Sequence, residues 1–177
     1  MENGKNQIER DHFVHGVAYL LRETFEGPPD GQGSAYLDRG IGIFSTLEEI
    51  SARQASLDFH GTTVAAQTEH AKFYLDRICE FISGRTKPVN WEDSWLIETV
   101  NESEWEALRG STKKSYESTL QCLDSLTDWS ADNIGMAMGM IAHSAYHLGA
   151  VRQIAKFAAH AGVAGRSESA SASADPA

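Results

Sequence analysis

The feature that most constrains the fold is a helical repeat of apolar residues along almost the whole chain, with no stretch of strand-like alternation. In residues 11–24, Phe13, Val17, Leu20 and Leu21 fall at the i, i+4, i+7 and i+8 positions of an amphipathic helix. Two prolines and two glycines in Gly27-Pro-Pro-Asp-Gly31 end it. A Gly-rich connection then runs to Gly42, too long for a simple turn and a candidate wall of a site. Ser45 or Thr46, with Glu48 and Glu49 three residues on, is expected to cap a short helix with the stripe Leu47, Ile50 and Leu57.

A longer helix is expected from about Gly61-Thr-Thr63 to Ser83, with the stripe Val64, Ala71, Leu75, Ile78 and Ile82 broadened by Tyr74 and Phe81. Residues 86–95 read as a connection in which Trp91 and Trp95 share one helical face. Ser103 with Glu106 has the spacing of a capping box, and Trp105, Leu108, Tyr116, Leu120, Leu123 and Leu126 follow at helical spacing. Asp132 is the expected cap of a last helix bearing Ile134, Met138, Ile141, Ala145, Leu148, Ile154 and Ala158, fading near Gly162. The expected fold is an all-α four-helix bundle with a long crossover and short extra helices, occupying residues 8–164. Residues 165–177, almost all Ser, Ala, Asp and Glu, read as a disordered tail.

Charge narrows the partners. Twenty-five acidic residues against 15 basic ones give −10, which argues against a phosphate-binding surface, hence against nucleic acid, and against docking on anionic lipid. The polar start of the chain does not read as a signal peptide, and no run of eighteen apolar residues offers a membrane span. Cys79 and Cys122 lie in amphipathic patterns without CxxC spacing and read as reduced thiols of a cytoplasmic protein.

Chemistry is concentrated in the histidines. His143 and His147 are four residues apart, so both imidazoles lie on one helical face and can reach one metal ion. With His143 at 0° and about 100° per residue, His147 falls at about 40° and the apolar arc covers about 20° to 160°. The pair therefore sits at the edge of the buried face, although HxxxH alone more often describes two ordinary helix histidines. His70, at the edge of the preceding long helix's buried arc, would complete a three-His face with coordination positions left open. His60 is a reserve ligand, His12 and His15 read as surface residues, and His160 as solvated. Glu69 reads either as an orienting partner of a ligand imidazole or as a solvated side chain. Arg85 and Lys87 read as a solvated loop or an anion contact, the four Trp as packing anchors, and Gly135, Gly139 and Gly149 as close-packing points.

The stretches Thr63-Val-Ala-Ala-Gln-Thr-Glu-His70-Ala-Lys-Phe-Tyr-Leu, Trp91-Glu-Asp-Ser-Trp95 and Met138-Gly-Met-Ile-Ala-His143-Ser-Ala-Tyr-His147-Leu-Gly149 resemble the DinB-like family. The resemblance covers roughly residues 11–161 and is most specific in the last helix. Where many members follow the last His with x-Gly-Gln, this chain has Leu148, Gly149 and Ala150. The resemblance implies a four-helix bundle, often a homodimer, binding a divalent metal through His70, His143 and His147. It also implies thiol-dependent transfer or isomerisation with a low-molecular-weight thiol, or an activity not yet assigned. Nitrogen ligands favour Zn²⁺ or Ni²⁺ over Mn²⁺. An ion so held would act as a Lewis acid toward water or a thiol, supporting thiol transfer or hydrolysis on a small-molecule substrate. The alternative is a bundle that keeps its metal for stability and serves as a binding or structural module. Trp91, Trp95 and Trp129, outside the main stripes, suggest helix-face surface buried in a dimer.

Overall fold

The structure, a computed structural model, describes residues 8–31 and 33–171, with side chains through residue 159. Its elements are α1 (Arg10–Glu26), α2 (Ile43–Glu48), α3 (Ala52–Ala55), α4 (Val64–Ile82), a 3-10 helix (Trp91–Trp95), α5 (Glu102–Ser125) and α6 (Ala131–Ser171). The described residues are all-helical, with no strand among them. Within the same residues, no helix is long and apolar enough to cross a membrane.

The stripe expected on α4 is buried throughout, whereas of the one expected on α6 only Leu148, Ile154 and Ala158 are buried, Met138 being exposed. Val64, Ala71, Leu75, Ile78 and Ile82 on α4 are all buried. On α6 the buried positions are Ala137, Met140, Ser144, His147, Leu148, Val151, Ile154 and Ala158, the spacing of a helix that shows one face to a core. The long helices pack in a closed circuit, with α4 against α5 and α6, and α1 against α6 and α5. Burying each stripe against two neighbours satisfies the apolar face of all four. The short helices α2 and α3 fill in beside α5 and α6. Trp105 is fully buried, and its indole Nε1 donates to the Ile50 carbonyl at 2.7 Å, tying α5 to the turn between α2 and α3. Phe25, Phe44 and Tyr116 pack ring on ring between α1, α2 and α5.

Residues 35–37 of the connection after α1 bond one carboxylate rather than the histidines. Glu23, 1% exposed, accepts the backbone N–H groups of Ala35 at 2.7 Å, Tyr36 at 2.8 Å and Leu37 at 2.7 Å. These bonds hold its carboxyl below the usual range, against the burial that pushes it up. The ends of the connection meet at Gly42, where a Cβ would lie 2.6 Å from the Gly27 nitrogen, so no side chain fits there.

Helix starts differ from those expected because the side chains that cap are set by local geometry. Helix α2 begins at Ile43, before Ser45, and the Ser45 hydroxyl accepts from the Gly42 N–H at 3.1 Å. The single short helix expected to carry Leu47, Ile50 and Leu57 is divided, and its second part, α3, is closed by a reciprocal pair in which Ser51 and Gln54 bond each other's backbone. The capping box of α5 is Asn101 with Glu104, two residues before the Ser103–Glu106 pair, at 3.0 and 2.8 Å. At α6, Ser130 accepts from the Asn133 N–H at 3.3 Å, and Asp132 lies in the first turn rather than at the cap. The expected close-packing role fails for Gly135 and Gly149, which face open space, and holds for Gly139, where a Cβ would meet the Tyr74 hydroxyl at 3.0 Å. The backbone of α6 continues past the expected fading near Gly162. The tail expectation for 165–177 falls on residues outside the described side chains, and 172–177 lie outside the described residues altogether.

Candidate metal centre

Three elements converge on one point. Helix α4 supplies Gln67 and His70, one turn apart; α6 supplies His143 and His147; the 3-10 helix supplies Ser94 and Trp95. The ligand nitrogens of His70, His143 and His147 all lie within 4.8 Å of one another. Ring centroids are 5.0 Å apart for His70 and His143, 4.8 Å for His70 and His147, and 4.4 Å for His143 and His147. Nitrogens around a tetrahedral ion at about 2.0–2.1 Å are about 3.3 Å apart, so binding would draw these rings together by up to about 1.5 Å.

The neighbours of each ring decide which nitrogen is free. Ser94 is fully buried and donates its hydroxyl hydrogen to the Trp91 carbonyl at 2.5 Å. Its oxygen can therefore only accept from His70 Nδ1, at 2.7 Å, which leaves the lone pair of His70 on Nε2. Gln67 donates through Nε2 to Thr62 Oγ1 at 2.9 Å, which turns its Oε1 toward His147 Nδ1 at 2.6 Å. His147 is thus also protonated on Nδ1 and free on Nε2. These tautomers follow from the donors and acceptors around each ring. On His143, Nε2 is buried and has no hydrogen-bond partner. Four buried side-chain atoms lack partners among the described residues, and this is the only imidazole nitrogen among them. An unpaired buried nitrogen costs its lost hydration unless something fills the place. A divalent ion at this nitrogen would offset that cost.

Burial holds all three imidazoles neutral. It lowers the pKa of His70, takes His143 to about 4 with His70 adding repulsion, and takes His147 to about 3 with His143 and His70 adding theirs. Neutral rings keep the lone pair a metal needs. Aromatic faces fix the rings from outside: Trp95 stacks on His70 at 3.9 Å and Tyr74 on His143 at 3.7 Å. Around the histidines, Trp91 and Trp95 are 40% and 37% exposed, and Tyr146, also exposed, lies edge-on to His147 at 5.0 Å.

The other candidates fall elsewhere. His60 is exposed, at positive φ in a tight turn against Phe59, and does not join the three. His12 and His15 are exposed, as expected, and His160 lies outside the described side chains. Glu69 pairs with Lys72 at 3.1 Å, and Gln67, two residues earlier, is the group that orients an imidazole. Arg85 is folded back on Glu80 and on the Lys87 carbonyl. Trp129 packs edge-on against Phe13 at 5.2 Å, whereas Trp95 belongs to the histidine site rather than to packing alone. Ser94 and Gln67 escaped the sequence reading. Their only signals are a small polar residue between two tryptophans and an amide one turn before His70 on the buried side.

No family model, curated protein or solved structure matches this chain.

Proposed function

We propose that the chain is a divalent-metal protein with the four-helix-bundle architecture of the DinB-like family, its ion held by Nε2 of His70, His143 and His147. The observation that carries this reading is the buried, unpartnered Nε2 of His143 beside two imidazoles whose Nδ1 hydrogens are already committed. Zn²⁺ and Ni²⁺ suit an all-nitrogen set.

The reading extends to an enzyme of thiol-transfer, isomerisation or hydrolysis type. Three neutral imidazoles bring no negative charge, so they leave a bound divalent ion a strong Lewis acid toward a water or a low-molecular-weight thiol at its open positions. The remaining roles fall to side chains of this chain. Ser94 and Gln67 hold the His70 and His147 rings in one tautomer, and Tyr74 and Trp95 cover ring faces and exclude water from them. The exposed indoles of Trp91 and Trp95 offer an apolar rim for the body of a small-molecule substrate. The protein is read as a cytoplasmic homodimer, in keeping with its free thiols and exposed Trp91, Trp95 and Leu96. The non-catalytic reading, a metal-stabilised structural module, draws on the absence of any carboxylate from the ligand group among the described residues. Assay of the metal-loaded protein with thiols and electrophiles separates the two.

Elemental analysis of protein purified without added metal tests the site itself. About one divalent ion per chain is expected, and its loss in His143→Ala. Full retention of metal by that variant contradicts the assignment.

A further inference from the structure

Two thiols that the histidine site does not use meet between α4 and α5. Cys79 lies on α4 and Cys122 on α5, helices that pack on each other, and both residues are partly exposed. The Cys122 sulfur sits 4.0 Å from the Cys79 carbonyl oxygen. The Cys79 thiol donates to Thr119 Oγ1 at 3.5 Å, one turn before Cys122, while the Thr119 hydroxyl is itself donated to the Ser115 carbonyl at 2.8 Å. Each sulfur thus reaches onto the other's helix, Cys79 to Thr119 of α5 and Cys122 to the backbone of Cys79 on α4.

We propose that Cys79 and Cys122 are a peroxide-responsive dithiol that closes reversibly to a disulfide joining α4 to α5. The neighbouring Cys79 side chain lowers the Cys122 thiol to about 7, which makes Cys122 the attacking sulfur. Its thiolate attacks one peroxide oxygen; the O–O bond breaks, an S–O bond forms, and the departing hydroxide takes up a proton as water. The Cys79 sulfur then attacks the Cys122 sulfenic sulfur; the S–S bond forms, the S–O bond breaks, and the hydroxyl leaves as water with the Cys79 proton. Peroxide is reduced to two waters and the two thiols lose two hydrogens. Neither thiol is a ligand of the histidine site, so this inference stands apart from the metal reading.

The test uses the full chain with a small excess of hydrogen peroxide, followed by intact mass, free-thiol count and peptide mapping. The expected result is loss of two hydrogens in mass, loss of both free thiols, and a linked peptide pair holding residues 79 and 122, all reversed by dithiothreitol. In Cys79→Ser the expected result is a sulfenic acid at Cys122 that dimedone traps. Addition of oxygens to the wild type without a linked peptide, crosslinking between chains, or retention of both thiols overturns the proposal.

Discussion

Gln67 is the residue on which the geometry of the site turns. It reaches the buried His147 across the packing of α4 on α6 and is itself fixed by Thr62. Partners of this kind typically govern metal affinity by 10–100-fold. Gln67→Ala is therefore expected to weaken zinc affinity by about 10–100-fold while leaving the three ligands in place. Competition against a chromophoric chelator measures this, and an unchanged affinity would remove Gln67 from the site. The histidines themselves could be read from spacing, because i, i+4 and the edge of an apolar arc are properties of one helix. Gln67 and Ser94 could not, because their partners lie 80 and 24 residues away and only the packed fold brings them together. Acidity bears on the same residues. The folded state holds His143 near 4 and His147 near 3, against an ordinary 6.5. Their neutral burial thus favours folding fully above about 6.5, and that contribution is lost as pH falls from there toward the folded values. The lowered carboxyl of Glu23 acts in the same sense at still lower pH. The metal-free protein is expected to melt at progressively lower temperature as pH drops from about 6.5 to 4, and His143→Gln to show a shallower decline. A melting temperature flat over that interval would contradict the neutral, buried state of the rings.

At the scale of elements, apolar period and cap carry different amounts of information. The stripe of α4 was readable because its spacing repeats over five turns and any error in phase would bury charge. The start of α5 lies two residues before the expected one because Asn101, Glu102, Ser103, Glu104 and Glu106 offer two overlapping capping boxes. Backbone geometry chooses between them: Asn101 is extended at φ −85° and ψ 176°, and Ser103 is already inside the helix. Asn101→Ala removes the acceptor for the Glu104 N–H and is expected to destabilise the protein by about 0.5–2 kcal/mol, with Ser103→Ala near neutral. Chemical denaturation of both variants decides which residue caps the helix; the reverse ranking would restore the Ser103 reading.

At the scale of the whole molecule, the closed circuit of four long helices brings α4, α6 and the 3-10 helix to one centre, and no single segment carries that site alone. The sequence reading reached the all-α class because each stripe demands a neighbour, but it could not tell which tryptophans cover the core. Trp105 and Trp129 are taken up by internal packing, while Trp91, Trp95 and the nearby Leu96 stay exposed beside the histidines. A two-fold contact would bury that apolar surface. Light scattering after gel filtration is expected to give about twice the 19.4 kDa chain mass at micromolar concentration. A mass near one chain would leave the indoles as the open rim of a monomer's site. The central claim, three histidine nitrogens on one ion, is met most directly by X-ray absorption at the metal edge of the zinc-loaded full chain. The account predicts a first shell containing three imidazole nitrogens at about 2.0–2.1 Å, with no sulfur. A shell with sulfur at about 2.3 Å, or one of oxygen alone, would contradict it.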